Sequence, residues 1–336
     1  MPLGIFFLVS LVKVVITLAV LLTLVAYVQL AERRIVARIQ SRVGPTRVGP
    51  SGFLQPAADT FKFILKEDIT PTDAHPFLYV LAPVISVVLA LTALSVVPIG
   101  GTFHLFGYPI QFQVTDINVG LLFVLGVTSL GVYGIVLAGW SSNSKYSFLG
   151  SLRGGSQMLS YELALGLALI GPIMLAGSLD LRQIVNAQNH IWYIVPEFVA
   201  FCIYLTAAFA ETNRIPFDLP EAEGELGAGY HTEYSSMKFA MFFLAEYVNM
   251  ITVSCIATIV FLGGWHGPMF GPALLRVFLP VIWFALKVAF FLFLYIWVRG
   301  TLPRFRYDQL MGFGWKFLVP LALANIVVTG AVLSFH

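Results

Sequence analysis

Eight stretches, approximately 4–30, 77–98, 118–139, 157–177, 192–211, 238–262, 274–299 and 315–335, are almost unbroken runs of apolar residues. No other property restricts the fold so tightly. A helix needs about 20 apolar residues to cross roughly 30 Å of hydrocarbon. Lipid offers no hydrogen-bond partners, so only helices or closed barrels can span it. A barrel would show short alternating strands, and these are absent. With 58% apolar residues, 11% charged residues and a mean hydropathy of +0.87, the 336-residue chain is too greasy for a soluble domain. The expected fold is all-α: one polytopic transmembrane domain over residues 1–336, with about eight spans. The first segment lacks a basic leader and is too long for a removable signal peptide.

Orientation follows from the lysines and arginines. The first, third, fifth and seventh connections hold 13 of them, and the second, fourth and sixth hold one, Arg182. By the positive-inside rule the odd connections face the cytoplasm and both termini lie on the outer, periplasmic side. The two cysteines, Cys202 and Cys255, fall within spans and form no disulfide or cluster-binding pattern. The six histidines are scattered without ligand spacing, so no metal site is expected. No phosphate loop, nucleophile triad or basic aromatic surface points to nucleotide or nucleic acid.

The longest connection, residues 31–76, opens "AERRIVARIQ" and continues "RVGPTRVGP", where each Gly-Pro step imposes a rigid turn. In the following "FLQPAADTFKFILKED", Leu54, Ala57, Phe61, Ile64 and Leu65 fall on one helical face. This predicts a short amphipathic helix, either in the interfacial plane or under a partner subunit. The outer segment "VPIGGTFHLFGYPIQF" suits a small hairpin. The loop "ETNRIPFDLPEAEGELGAGYHTEY", residues 211–234, carries six acids and one base, Arg214, on the cytoplasmic side.

Ionisable residues inside spans carry the functional signal. An ionised residue at a helix centre costs roughly 2.5–3.5 kcal/mol on insertion scales, so such residues turn towards the bundle interior. Lys13 and Lys287 leave two readings open, a functional group or a buried Glu–Lys pair that sets helix register. Glu197 falls near the outer surface, where solvation accounts for it. Glu162 and Glu246 lie about 8–13 Å from the cytoplasmic helix ends, level with Glu211. Burial and a neighbouring carboxylate both disfavour the charged form, so Glu162, Glu211 and Glu246 together suit a proton relay.

The stretches "AERRIVARIQSRVGPTRVGPSGFLQPAADTFKFILKE" and "AETNRIPFDLPEAEGELGAGYHTEYSSMKFAMFFLAEY" resemble the two signature regions of the H subunit of bacterial NADH–quinone oxidoreductase. This is the family of subunit 1 of mitochondrial complex I, and the resemblance covers nearly the whole chain. It implies a membrane-arm subunit of a proton-translocating enzyme complex in the bacterial inner (plasma) membrane. Such a subunit forms much of the quinone tunnel, with quinone as substrate and no cofactor of its own. FMN and iron–sulfur clusters belong to partner subunits, and both the peripheral arm and small membrane-arm subunits are expected partners. Loops 31–76 and 212–237 would form the docking face. Carried over by position, Glu32, Arg33, Arg42 and Arg47 match the family's first-loop charges. Arg214, Asp218, Glu221, Glu223, Glu225 and Glu233 match its acidic loop, and Glu162, Glu211 and Glu246 match its buried acidic track.

One departure stands out. Some members carry a carboxylate in the third span, whereas here it reads "NVGLLFVLGVTSLGVYGIVLAGW". Thr128 or Ser129 with water, or a neighbouring subunit, is expected to bridge that step. The acidic loop is expected to couple quinone redox state to protonation, with Arg33, Arg42, Arg47 and Arg214 pairing its acids. The alternative is that those acids form salt bridges with the peripheral arm. Two rival functions remain at this level: the homologous membrane anchor of a hydrogenase or formate-oxidising complex, and a standalone proton-coupled transporter. The transporter would show inverted repeats with broken helices, and none is visible.

Overall fold

The structure, a computed structural model, describes residues 3–105, 108–220, 227–270 and 272–335. It is a helical bundle. In chain order the helices are α1 (Leu3–Ile39), α2 (Gln55–Leu65), α3 (Pro76–Leu94), α4 (Gly120–Ser141), α5 (Lys145–Ala176), α6 (Leu181–Ala187) and α7 (Phe198–Glu211). They continue with α8 (Ser236–Phe261), α9 (Ala273–Thr301), α10 (Tyr307–Phe313) and α11 (Val319–Ser334), the last two joined by a short π-helical stretch. Among the described residues, seven helices are long and apolar enough to cross a membrane, counting α10 to α11 as one. The chain is thus an all-α multi-pass membrane protein, as its apolar runs require.

The fifth apolar stretch folds differently from a full span. Residues 192–197 form a turn, and α7 has 14 residues, about 21 Å of helix. The expected hairpin is present: β1 (Thr102–Leu105) pairs antiparallel with β2 (Tyr108–Gln111), with Thr102 opposite Gln111. The first helix runs past residue 30 to Ile39, so Glu32 and Arg33 sit on its last turns rather than in a loop.

Helix ends follow local chemistry. Pro76 and Pro56 occupy first turns, where a missing N–H goes unnoticed. Gly177 stops α5 in the left-handed conformation at φ 64°. The Asp180 side chain accepts from Arg182 N at 2.9 Å and caps α6.

Helix α8 is the centre of the bundle. In its most apolar window 78% of residues are buried, against 11% for α1, which lies at the periphery. Around α8 pack α3, α9, α7 and α6, while α5 bridges α4, α7 and α11. The apolar face of α2 is turned away from the bundle, with Leu54, Phe61 and Leu65 exposed. Its C-terminal end is tied down instead: Ser236 Oγ lies 2.9 Å from both Phe63 O and Lys66 O.

Candidate functional site

Three helices and a loop bring a charged cluster together at the end of the bundle that carries the basic connections. Arg214, just past α7, is its hub. Its Nη1 donates to Glu32 Oε1 of α1 at 3.1 Å, and its Nε lies 2.6 Å from Glu246 Oε1 of α8. Glu32 also pairs with Arg299 of α9 and accepts from Tyr247 Oη at 2.6 Å. The Arg214 guanidinium stacks over the Tyr247 ring at 4.4 Å, a cation–π contact in a desolvated setting. Glu32 and Arg214 are each 5% exposed. Charges this deep persist only when paired and hydrogen-bonded, and planar guanidinium serves several acceptors at once.

The loop that presents Arg214 is clamped from α5. Gln157, fully buried, donates from Nε2 to Ala210 O at 2.7 Å, to Phe217 O at 2.6 Å and to Asn213 Oδ1 at 3.3 Å. Asn213 turns the chain at φ 51°, and the Ile215–Pro216 peptide is cis. Phe305 N donates to Pro216 O at 3.1 Å, and Phe217 stacks on Phe305. Close approach of the acidic loop's two ends to α5 needs glycine. A Cβ on Gly150 would meet Gly229 Cα at 2.8 Å, and one on Gly154 would meet Pro220 Cγ at 2.8 Å.

Beyond residue 226 the chain is pinned again. Tyr234 stacks on Tyr79 at 4.1 Å and donates to Tyr79 O, while Tyr79 Oη donates to Glu233 O at 2.7 Å. The buried His231 ring packs among Tyr230, Phe239 and Phe243, and this burial pulls its pKa down to about 4. His231 is therefore neutral at pH 7.

Behind the cluster lies a cavity of about 40 Å³, lined by Glu211, Glu246, Asn213, Asn249, Ser86 and Tyr230 among others. A water needs about 10–15 Å³ measured this way, so the space takes more than one. Glu211 and Glu246 both line this cavity. Glu162 of α5 lies close enough to Glu211 for their charges to interact. Thr128 of α4 is within hydrogen-bonding reach of Glu211, and Ser129 within reach of Glu162. The third span thus places two hydroxyls beside these carboxyls.

The other sequence-based candidates divide. Asp218 is half-buried and lies close enough to Glu246 for their charges to interact. Glu233 is half-buried with its backbone carbonyl bonded. Arg33 pairs with Asp59 of α2 at 2.6 Å, Arg42 donates to Gln40, and Arg47 is exposed. Glu221, Glu223 and Glu225 lie outside the described residues.

Sequence reasoning missed Arg299, Tyr247 and Gln157. Arg299 is tallied with the connection charges although it is the last residue of the 274–299 stretch, and only that place at a span's end hints at burial. The simple readings of Glu197 and Lys287 need correction. Glu197 is 2% exposed, not solvated, and accepts from Asn325 Nδ2 and Thr329 Oγ1 of α11, each at 2.6 Å. Lys287 pairs with no glutamate among the described residues. It donates to three backbone carbonyls, Leu262, Gly264 and His266, at 2.6, 2.9 and 2.7 Å.

Residues 12–330 match the family model described as NADH dehydrogenase. The chain is 60% identical to the second of the NADH-quinone oxidoreductase H subunits of Koribacter versatilis, covering 97% of each. It belongs to the H-subunit family of NADH–quinone oxidoreductase. Other relatives in this family include the first H subunit of Geobacter metallireducens, 53% identical over 98% of this chain and 97% of the relative. The H subunit of Thermomicrobium roseum is 52% identical over 94% of this chain and 93% of the relative. With nearly full coverage on both sides, the family assignment extends to both loops and to the helices that carry the cluster.

Proposed function

We propose that this subunit forms much of the quinone tunnel of an NADH–quinone oxidoreductase and couples quinone reduction to proton translocation. Reduction of a quinone to a quinol takes up two electrons and two protons. The electrons would arrive from FMN and iron–sulfur clusters in partner subunits; the proton side falls to this chain. Glu246, beside Arg214 and on the cavity wall, is the carboxyl that would exchange protons with the redox site. Glu211, across the same cavity, passes them on, and Glu162 with Ser129 and Thr128 continues the path through α4 and α5. Asp218, Glu221, Glu223, Glu225 and Glu233 would carry redox-linked charge near the quinone headgroup.

Glu32, Arg214 and Arg299 hold the local charge balance, so protonation of Glu246 would loosen its pairing with Arg214 and shift the loop. Loops 31–76 and 212–237, with Arg33, Arg42 and Arg47, would face the peripheral arm. The unpacked apolar face of α2 supports contact with lipid or a partner there. In this reading those loops face the cytoplasm from the bacterial inner membrane, with both termini outside, as the distribution of lysines and arginines suggests.

The single observation that carries this reading is the water-sized cavity shared by Glu211 and Glu246 next to Arg214. It is tested in the assembled complex by Glu211→Gln and Glu246→Gln, made separately. The expected outcome is assembly with fewer protons moved per quinol formed. Two variants that assemble and pump at the full ratio defeat the proposal.

A further inference from the structure

The middle of α9 carries a second pocket that the proton path does not use. Its volume is about 270 Å³, and its walls include Trp192, Leu262, Trp283, Leu286, Lys287 and Phe290. Its floor is non-helical backbone that turns at Gly263 and Gly264 (φ 67° and 53°) after α8 ends. Non-helical backbone within a membrane survives only if its polar groups are met by protein. Lys287 does this by filling the carbonyls of Leu262, Gly264 and His266, with its ammonium 4.5 Å from the Trp192 ring. Trp283 Nε1 closes the rim by donating to Pro268 O at 3.0 Å. Apart from the His266 ring, the remaining walls are apolar.

The pocket opens on an exposed apolar stripe of α9, where Ile282, Leu286, Phe290 and Phe293 are 44%, 55%, 58% and 45% exposed. Water needs two to four polar partners, and apolar cavities of about 150 Å³ stay dry and take up hydrocarbon instead. In a multi-pass membrane protein the available hydrocarbon is an acyl chain. Helical spacing puts Arg276, an exposed cation, on the face that carries Trp283, Lys287 and Phe290. Along α9, Trp283 to Phe290 lie about 10–21 Å from Arg276. A leaflet's hydrocarbon is about 15 Å deep, so a lipid whose phosphate sits level with Arg276 would lay its tail across the pocket.

We propose that this flank of α9 is a binding site for an anionic phospholipid, with its phosphate against Arg276 and one acyl chain seated among Trp283, Leu286, Phe290 and Trp192. The site is independent of the proton path. The test uses the assembled complex in phosphatidylcholine vesicles containing a minor amount of phosphatidylglycerol with a diazirine in mid-chain. A matching phosphatidylcholine probe serves as the neutral control. Photolysis is expected to label Trp283, Leu286, Phe290 or Trp192. The phosphatidylglycerol probe should exceed the neutral one about fivefold, the preference that one basic residue provides near a membrane surface.

Arg276→Gln should abolish the headgroup preference, and Leu286→Trp, which fills the pocket, should abolish labelling by both probes. Should Leu286→Trp disturb assembly, excess unlabelled phosphatidylglycerol on the unaltered complex decides: loss of label supports the site and persistence overturns it. The proposal is also overturned by absence of label in the pocket, by equal labelling from both probes, by displacement with a quinone tail but not with phospholipid, or by a partner helix found cross-linked there.

Discussion

Replacing Arg214 by Met keeps most of the apolar stem and removes the guanidinium. Glu32 then retains Arg299 and Tyr247, but the carboxylate of Glu246 loses the 2.6 Å contact that balances it. The Arg214 and Glu246 side chains are 6% and 13% exposed, so solvent screens the loss only weakly. Breaking a buried ion pair from one side costs about 3–5 kcal/mol, and the cation–π contact with Tyr247 adds to it. The cost should appear as local opening, since the amides of Arg214, Phe217 and Leu219 all close within this turn.

Amide exchange over residues 209–219, measured in the assembled complex, is therefore expected to speed up by about two to four orders of magnitude. The double variant Arg214→Met, Glu246→Gln removes the stranded charge and should recover most of that loss, because the two groups share one interaction. If the double variant exchanges as fast as Arg214→Met alone, Glu246 is not the group that Arg214 balances, and the reasoning fails.

Three further outcomes are expected. Gln157→Leu strands the acceptors at Ala210 and Phe217; it should cost about 1–3 kcal/mol and raise exchange over 210–217 without speeding exchange at the hairpin end. His231 is held neutral by burial with a pKa of about 4 against 6.5 unfolded, so the unfolded segment binds more protons between these values. Its stabilisation is full above pH 6.5, falls as pH drops and is spent near pH 4, for a loss of about 3 kcal/mol. Exchange over residues 227–243 should follow that window and flatten in His231→Phe. Gly150→Ala drives a Cβ to 2.8 Å from Gly229 Cα, so it should displace the start of the 229–231 turn. Cysteine cross-linking between α5 and this turn would detect the shift, and unchanged cross-linking yields would refute the close packing.

What one dimension of the chain settles is material that repeats or accumulates locally. Apolar runs of span length dictate a helical membrane bundle, because the backbone has no other way to satisfy itself in lipid. Lysines and arginines concentrated in alternate connections mark one end of that bundle. Carboxyls inside greasy segments announce groups turned towards the bundle interior, and Glu162, Glu211 and Glu246 are all visible for that reason. The amphipathic helix α2 is visible because its apolar residues keep a helical period.

The rotation and depth of each helix are decided only by tertiary packing. Helix α8 is apolar on nearly every side, so no periodicity says which face meets which neighbour. Glu32 finds Tyr247 and Arg299 more than 200 residues along the chain, Gln157 reaches back to clamp the Arg214 turn, and Lys287 fills the carbonyls of a loop instead of pairing with an acid. Such contacts depend on where helices cross in three dimensions. A buried charge must be paired, but many arginines and tyrosines of this chain could pair it. Only the assembled bundle brings one particular set within reach.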